Sequence, residues 1–149
     1  MKTGHLLYVS QINRETFNAL KRRRHLLFLD KHHTDEGLNR YGPWHALGMA
    51  AFAYLRRLGV ETAAAGEAVD DSWPDIIRIA GLVDEPPRDE RCGVRINDLN
   101  VPDTFGWHHH ASKGGKPVAY TAVDLKVLWD WIQPLIAATE HQQEDEGDD

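Results

Sequence analysis

Four consecutive cations, Lys21-Arg22-Arg23-Arg24, follow directly on a segment whose apolar residues are Phe17 and Leu20. This constrains the chain more than any other feature. Phe17 and Leu20 lie three apart, on one face of a helix, and Arg14, Asn18, Lys21, Arg22 and His25 recur at helical spacing on another. Asn13 is a good N-cap, and Glu15 in the first turn suits the helix dipole. Such a helix buries its Phe and Leu and turns a cationic, amide-bearing face outward. A solvated charged face is the plain alternative. Adjacent cations without a partner repel one another, however, which favours a polyanion as that partner.

Charge distribution points the same way. The 149 residues carry a formal net charge of -6. Residues 1–60 hold ten Lys and Arg against four acids, a net of +6, and the remainder carries -12. A polyanion-facing half and a half that must not face one are expected. The absence of any long apolar run argues against a membrane span. Met1 to Ser10 has too short an apolar segment for a signal peptide, so a cytoplasmic protein is expected. Cys92, the single cysteine, can make no internal disulfide or cysteine-based zinc site, and a buried small hydrophobe is its expected role.

Along the chain, Leu6, Leu7 and Val9 fit either a short helix or a strand. Leu26 to Leu29 reads as one strand of a hairpin, Asp30 to Leu38 as its loop and Asn39 to Tyr41 as the returning strand. Gly42-Pro43 starts a helix with the apolar stripe Trp44, Leu47, Ala51, Leu55 and Leu58, stopped by Gly59. Glu61 to Val69 forms a second, alanine-rich helix. Ser72 and Asp75 form a capping box for a short helix ending at Gly81. Asp84 to Glu90, with Pro86 and Pro87, reads as a linker.

The second part alternates like strands at Val94 and Ile96, at Phe105 and Trp107, and at Val118 and Tyr120. Gly114-Gly115 lies in the loop of a hairpin. Thr121 and Asp124 cap a final helix with Leu125, Leu128, Ile132 and Leu135 on one stripe, and Pro134 is expected to kink or shorten it. The expected fold class is α+β. Residues 1–83 form a winged helix-turn-helix, 91–139 a β-hairpin and helix for dimerisation or effector binding, and 140–149 an acidic disordered tail.

The segment from Ile12 to Val69 resembles the winged-helix DNA-binding domain of MerR-type regulators. The matching features are Asn13-Arg14-Glu15-Thr16-Phe17 at the start of the recognition helix and Leu26-Leu27 at the first wing strand. Arg40-Tyr41 falls at the wing Arg-Tyr element, and Pro43 to Leu58, Gly59-Val60 and Ala64 to Ala68 match the helices after it. The resemblance implies that Arg14, Thr16, Asn18, Arg22, Arg40 and Tyr41 carry DNA contact. By charge, Lys21, Arg22, Arg23 and Arg24 suit phosphates, while Arg14 can read guanine and Asn18 adenine.

Sequence-specific binding of double-stranded DNA, as a homodimeric transcriptional regulator, is the function these features imply. The competing reading is an adaptor that uses a winged helix to bind protein. A third is metal binding through His108-His109-His110. On a strand, His108 and His110 face one way and His109 the other, leaving two ligands where a site needs three or four. His32, His33 or Asp103 would have to complete it, and no spacing demands that. No cofactor and no metal are expected. Lys113-Gly114-Gly115-Lys116 lacks the spacing of a phosphate loop, and no nucleophile, HExxH or paired-carboxylate pattern suggests an enzyme.

Overall fold

Helix α3, Pro43–Arg57, buries ten of its fifteen residues, from His45 through Ala53 together with Leu55. A helix that is apolar and small on nearly every face can satisfy itself only inside a protein, and here the other elements pack around it. In the computed structural model the described residues are 1–34, 40–98, 101–106 and 119–146. The expected single stripe therefore understates α3. Trp44 is half-buried, and Leu58, the C-cap residue, is 56% exposed rather than part of the stripe.

The amino-terminal segment is helical: α1, Thr3–Ser10, buries Leu6, Leu7 and Val9. Gln11 follows in the left-handed region at φ 57 and ends α1. Asn13 then caps α2, Arg14–Arg22, its side chain accepting the Thr16 N–H at 2.8 Å. Phe17 is buried and Leu20 packs against the core, as the spacing predicts.

No wing follows among the described residues. Leu27–Asp30 is a 3-10 turn, not a strand, and Arg40-Tyr41 is not part of a strand. An uninterrupted apolar run carries no alternation to distinguish strand from buried turn, and burial decides: Leu26, Phe28 and Leu29 all enter the core. Phe28 fits against α3 because Gly48 has no side chain; a Cβ there would lie 2.9 Å from its ring. The Tyr41 backbone pairs instead with Met1, donating its N–H to the Met1 carbonyl and accepting from the Met1 amine. Residues 35–38 of the expected loop and residue 39 of the expected returning strand lie outside the described residues.

Helix α4 is Thr62–Asp71 and α5 is Trp73–Ile79. The capping box at Ser72 does not form; Ser72 makes no capping bond. The Asp75 carboxylate accepts the Arg88 N–H at 2.8 Å, and Arg78 reaches Glu85 at 3.1 Å. These bonds fasten the proline-containing segment 84–90 to α5, so it is not a free linker.

Three antiparallel strands, β1 Arg91–Asp98, β2 Val101–Gly106 and β3 Ala119–Asp124, form a sheet in the order β2-β1-β3. Gly93 stands opposite Phe105 on one side and Ala122 on the other. The strand holding Phe105 and the strand holding Tyr120 were expected to pair across Gly114-Gly115. Instead β1 lies between them. Alternation predicts strands but not which neighbour each takes. Gly93 allows the close approach, since a Cβ there would sit 2.1 Å from the Thr121 carbonyl oxygen.

Helix α6, Leu125–Glu146, is capped by Asp124 alone, which accepts from the Lys126 and Val127 N–H groups at 3.0 Å. Thr121 belongs to β3. Leu125, Leu128, Trp129, Ile132 and Ile136 are buried. Pro134 lies within the helix without ending it, and residues 140–146 continue it where a disordered tail was expected. The architecture is thus helices with an antiparallel sheet, α+β. The two expected units share one core cluster that runs from Leu6 to Ile136. Among the described residues, no helix is long and apolar enough to cross a membrane.

Candidate nucleic-acid interface

Helix α2 has three distinct sides. Phe17 and Leu20 face the core. Arg14, Asn18, Lys21 and Arg22 are exposed and recur at the spacing of one outward face. Glu15, Thr16, Ala19 and Arg23 face a cleft toward α3. Among the described residues, Arg14, Lys21, Arg22, Arg23 and Arg24 form no ion pair. Lys21 places its ammonium 5.5 Å from the Phe17 ring centroid.

The cationic run is not all helix. Lys21 and Arg22 occupy the last turn, Arg23 is the C-cap and Arg24 turns left-handed at φ 60. Cations in the last turn complement the negative end of the helix dipole, which gives part of this cluster a local structural reason. The reversal at Arg24 also removes His25 from the expected cationic face. His25 is half-buried and its carbonyl abuts Gly66 of α4, where a Cβ would lie 2.3 Å away.

Arg40 is exposed, its guanidinium 5.6 Å from the Tyr41 ring centroid. Tyr41 itself is 2% exposed and packs edge-on against His45 at 5.4 Å. It presents no surface to a phosphate, and the contact role implied for it by the wing resemblance is corrected on that ground. With no wing strand among the described residues, they do not join Arg40 and α2 into the expected helix-plus-hairpin surface.

The cleft beside α2 encloses about 700 Å³ between α2, the end of α3 and the start of α4. Its walls carry Arg23, Arg56, Arg57, Glu15 and Glu61 over an apolar floor that includes Ile12, Leu20, Phe52 and Ala53. Arg56 donates to the Val60 carbonyl at 2.7 Å, and Arg57 donates to Gln11 Oε1 at 3.1 Å while lying 5.0 Å from the Tyr54 ring centroid. Arg56 and Arg57 escaped the sequence reading. They stand more than thirty residues from the cationic run, and no local signal links the two.

A cluster of imidazoles and indoles anchors the segment after the 3-10 turn. His45 is fully buried; its Nδ1 accepts the Gly42 N–H at 2.9 Å and its Nε2 pairs with the Lys31 carbonyl at 2.6 Å. Burial drives its pKa down to about 4, helped by the nearby His33, amino terminus and His32 and opposed by the bond to Lys31. His32 Nδ1 accepts from the Trp73 indole at 3.0 Å, and His33 Nε2 pairs with the Leu29 carbonyl at 2.8 Å. One ring nitrogen of each of His32 and His33 thus serves the fold. Trp107, His108-His110 and Lys113-Gly114-Gly115-Lys116 lie outside the described residues. Cys92 is buried as expected, its thiol donating to the Ala68 carbonyl at 3.4 Å and pushed up to a pKa of about 12 by burial. A thiol held protonated in this way is a poor nucleophile.

Compared with known proteins, the chain matches no family model, and no curated protein or solved structure matches it either.

Proposed function

We propose that the protein binds double-stranded DNA through the outward face of α2 and acts as a homodimeric transcriptional regulator. One observation carries the reading: Arg14, Asn18, Lys21 and Arg22 are exposed on a helix anchored by Phe17, with no carboxylate partner among the described residues. The eight-residue α1, the short turn through Gln11 and the nine-residue α2 have the dimensions of a helix-turn-helix pair. The resemblance to MerR-type regulators puts the recognition helix at the same place. Arg14, at the helix start, and Asn18, one turn on, are the side chains suited to base edges, and Lys21 to Arg24 with Arg40 are suited to phosphates. Thr16, exposed in the first turn, belongs to the same end of the helix.

Dimerisation would pair half-sites, and the exposed Val127 and Trp131 of α6, with Tyr8 of α1, offer apolar surface for it. Fluorescence anisotropy against duplex DNA across a salt series tests the proposal. Binding should weaken steeply with salt, and Arg22→Ala should reduce the salt slope by about 1. No duplex binding at low salt rejects it.

The adaptor reading is favoured by a different observation: Tyr8 and Trp131 are 61% and 63% exposed. A partner whose affinity is unchanged by Arg22→Ala but lost with Trp131→Ala would support that reading instead.

A further inference from the structure

We infer that the cleft between α2 and the last turn of α3 is a binding site for a small aromatic anion. Its volume of about 700 Å³ falls in the range of small-molecule sites. Its floor is apolar, at Ile12, Phe52 and Ala53, and its wall holds the three guanidinium groups of Arg23, Arg56 and Arg57. A planar, ring-bearing molecule matches the floor, and a phosphate or carboxylate on it matches the guanidinium groups, which take such groups in paired hydrogen bonds.

Two of the three cations are already held. Arg56 is fastened to the Val60 carbonyl and Arg57 to Gln11 Oε1. Side chains positioned before binding lose less freedom on it. Glu15 and Glu61 also face the cleft, yet among the described residues no ion pair joins them to any of the three arginines. Three cations against two carboxylates leave a positive excess for an anion. Of the α2 residues lining it, Glu15, Ala19 and Leu20 are not among the proposed DNA contacts, whereas Thr16 and Arg23 are. Arg56 and Arg57 lie outside the proposed DNA contacts, so Arg57→Gln probes the cleft alone.

The test is a titration of the full chain with phenyl phosphate, followed by amide chemical shifts in two-dimensional NMR. Saturable shifts are expected at Thr16, Ala19, Ala53 and Thr62. Phenol, which lacks the charge, and inorganic phosphate, which lacks the ring, should each bind at least about tenfold more weakly. Arg57→Gln should weaken phenyl phosphate by a similar factor. Arg23→Gln, at an exposed position whose side chain has no hydrogen bond or ion pair among the described residues, should do the same with amide dispersion intact, and it decides the matter if Arg57→Gln disturbs the turn at Gln11. Phenyl phosphate binding no tighter than inorganic phosphate, or binding indifferent to Arg23→Gln, overturns the inference.

Discussion

The imidazole of His45 is wired for one protonation state. Nδ1 accepts the Gly42 N–H, so the ring proton sits on Nε2 and is donated to the Lys31 carbonyl. A second proton on Nδ1 would face an N–H with nothing to accept it. The pKa of about 4 in the folded chain lies below the ordinary 6.5. Above pH 6.5 both folded and unfolded forms are neutral here and the full stability is present. As pH falls below 6.5 the unfolded chain takes up the proton first, so stability is lost down to about pH 4. The shift corresponds to about 3 kcal/mol. Urea unfolding at pH 7.5, 5.5 and 4.5 should show this decline, and His45→Gln should flatten it. Parallel pH profiles for the two proteins would refute the assignment. Gln11 is the other telling residue: a left-handed turn favours glycine and costs another residue roughly 1 kcal/mol, and nothing in the local sequence marks Gln11 for it.

At the scale of elements, α2 owes its position to α4 as much as to its own Phe17. Gly66 lets α4 close onto the backbone that follows α2, with the His25 carbonyl where a methyl group would stand. Gly66→Ala would raise intrinsic helix propensity by about 1 kcal/mol. The clash should reverse the sign and destabilise the protein by about 1–3 kcal/mol, read from the unfolding midpoint. A stabilised variant would show that this contact is loose. The same element explains why Leu26 to Leu29 misled the sequence reading. Four apolar residues ending a cationic helix fit a wing strand equally well, and only the presence of α3 and α4 above them makes a buried 3-10 turn the better solution.

The described residues of the whole molecule share a core, with Leu6 and Phe17 in the same cluster as Val94, Leu125 and Ile136. Leu125→Ala, at a fully buried position, should cost about 2–5 kcal/mol. The loss should appear in a single transition, with tryptophan fluorescence and far-ultraviolet dichroism coinciding. Separate melting of the amino-terminal helices would contradict a shared core. This continuity also bears on charge: α3 of the net-positive first sixty residues packs against α4, α5 and α6 of the net-negative remainder, so the electropositive surface is set by which residues α2 and the end of α3 expose.

Local pattern determined much of this protein. The Asn13 cap, the outward and inward faces of α2, the start of α3 at Pro43 and the Asp124 cap of α6 all follow from interactions within a few residues, and they were legible for that reason. Tertiary structure alone decided the rest. It placed β1 between β2 and β3, turned Leu27–Asp30 into a helical turn, buried Tyr41 and brought Arg56 and Arg57 opposite Arg23. Each of those outcomes is a choice among packing partners distant in sequence, made by the apolar surface they jointly remove from water, and no short window of residues contains that comparison.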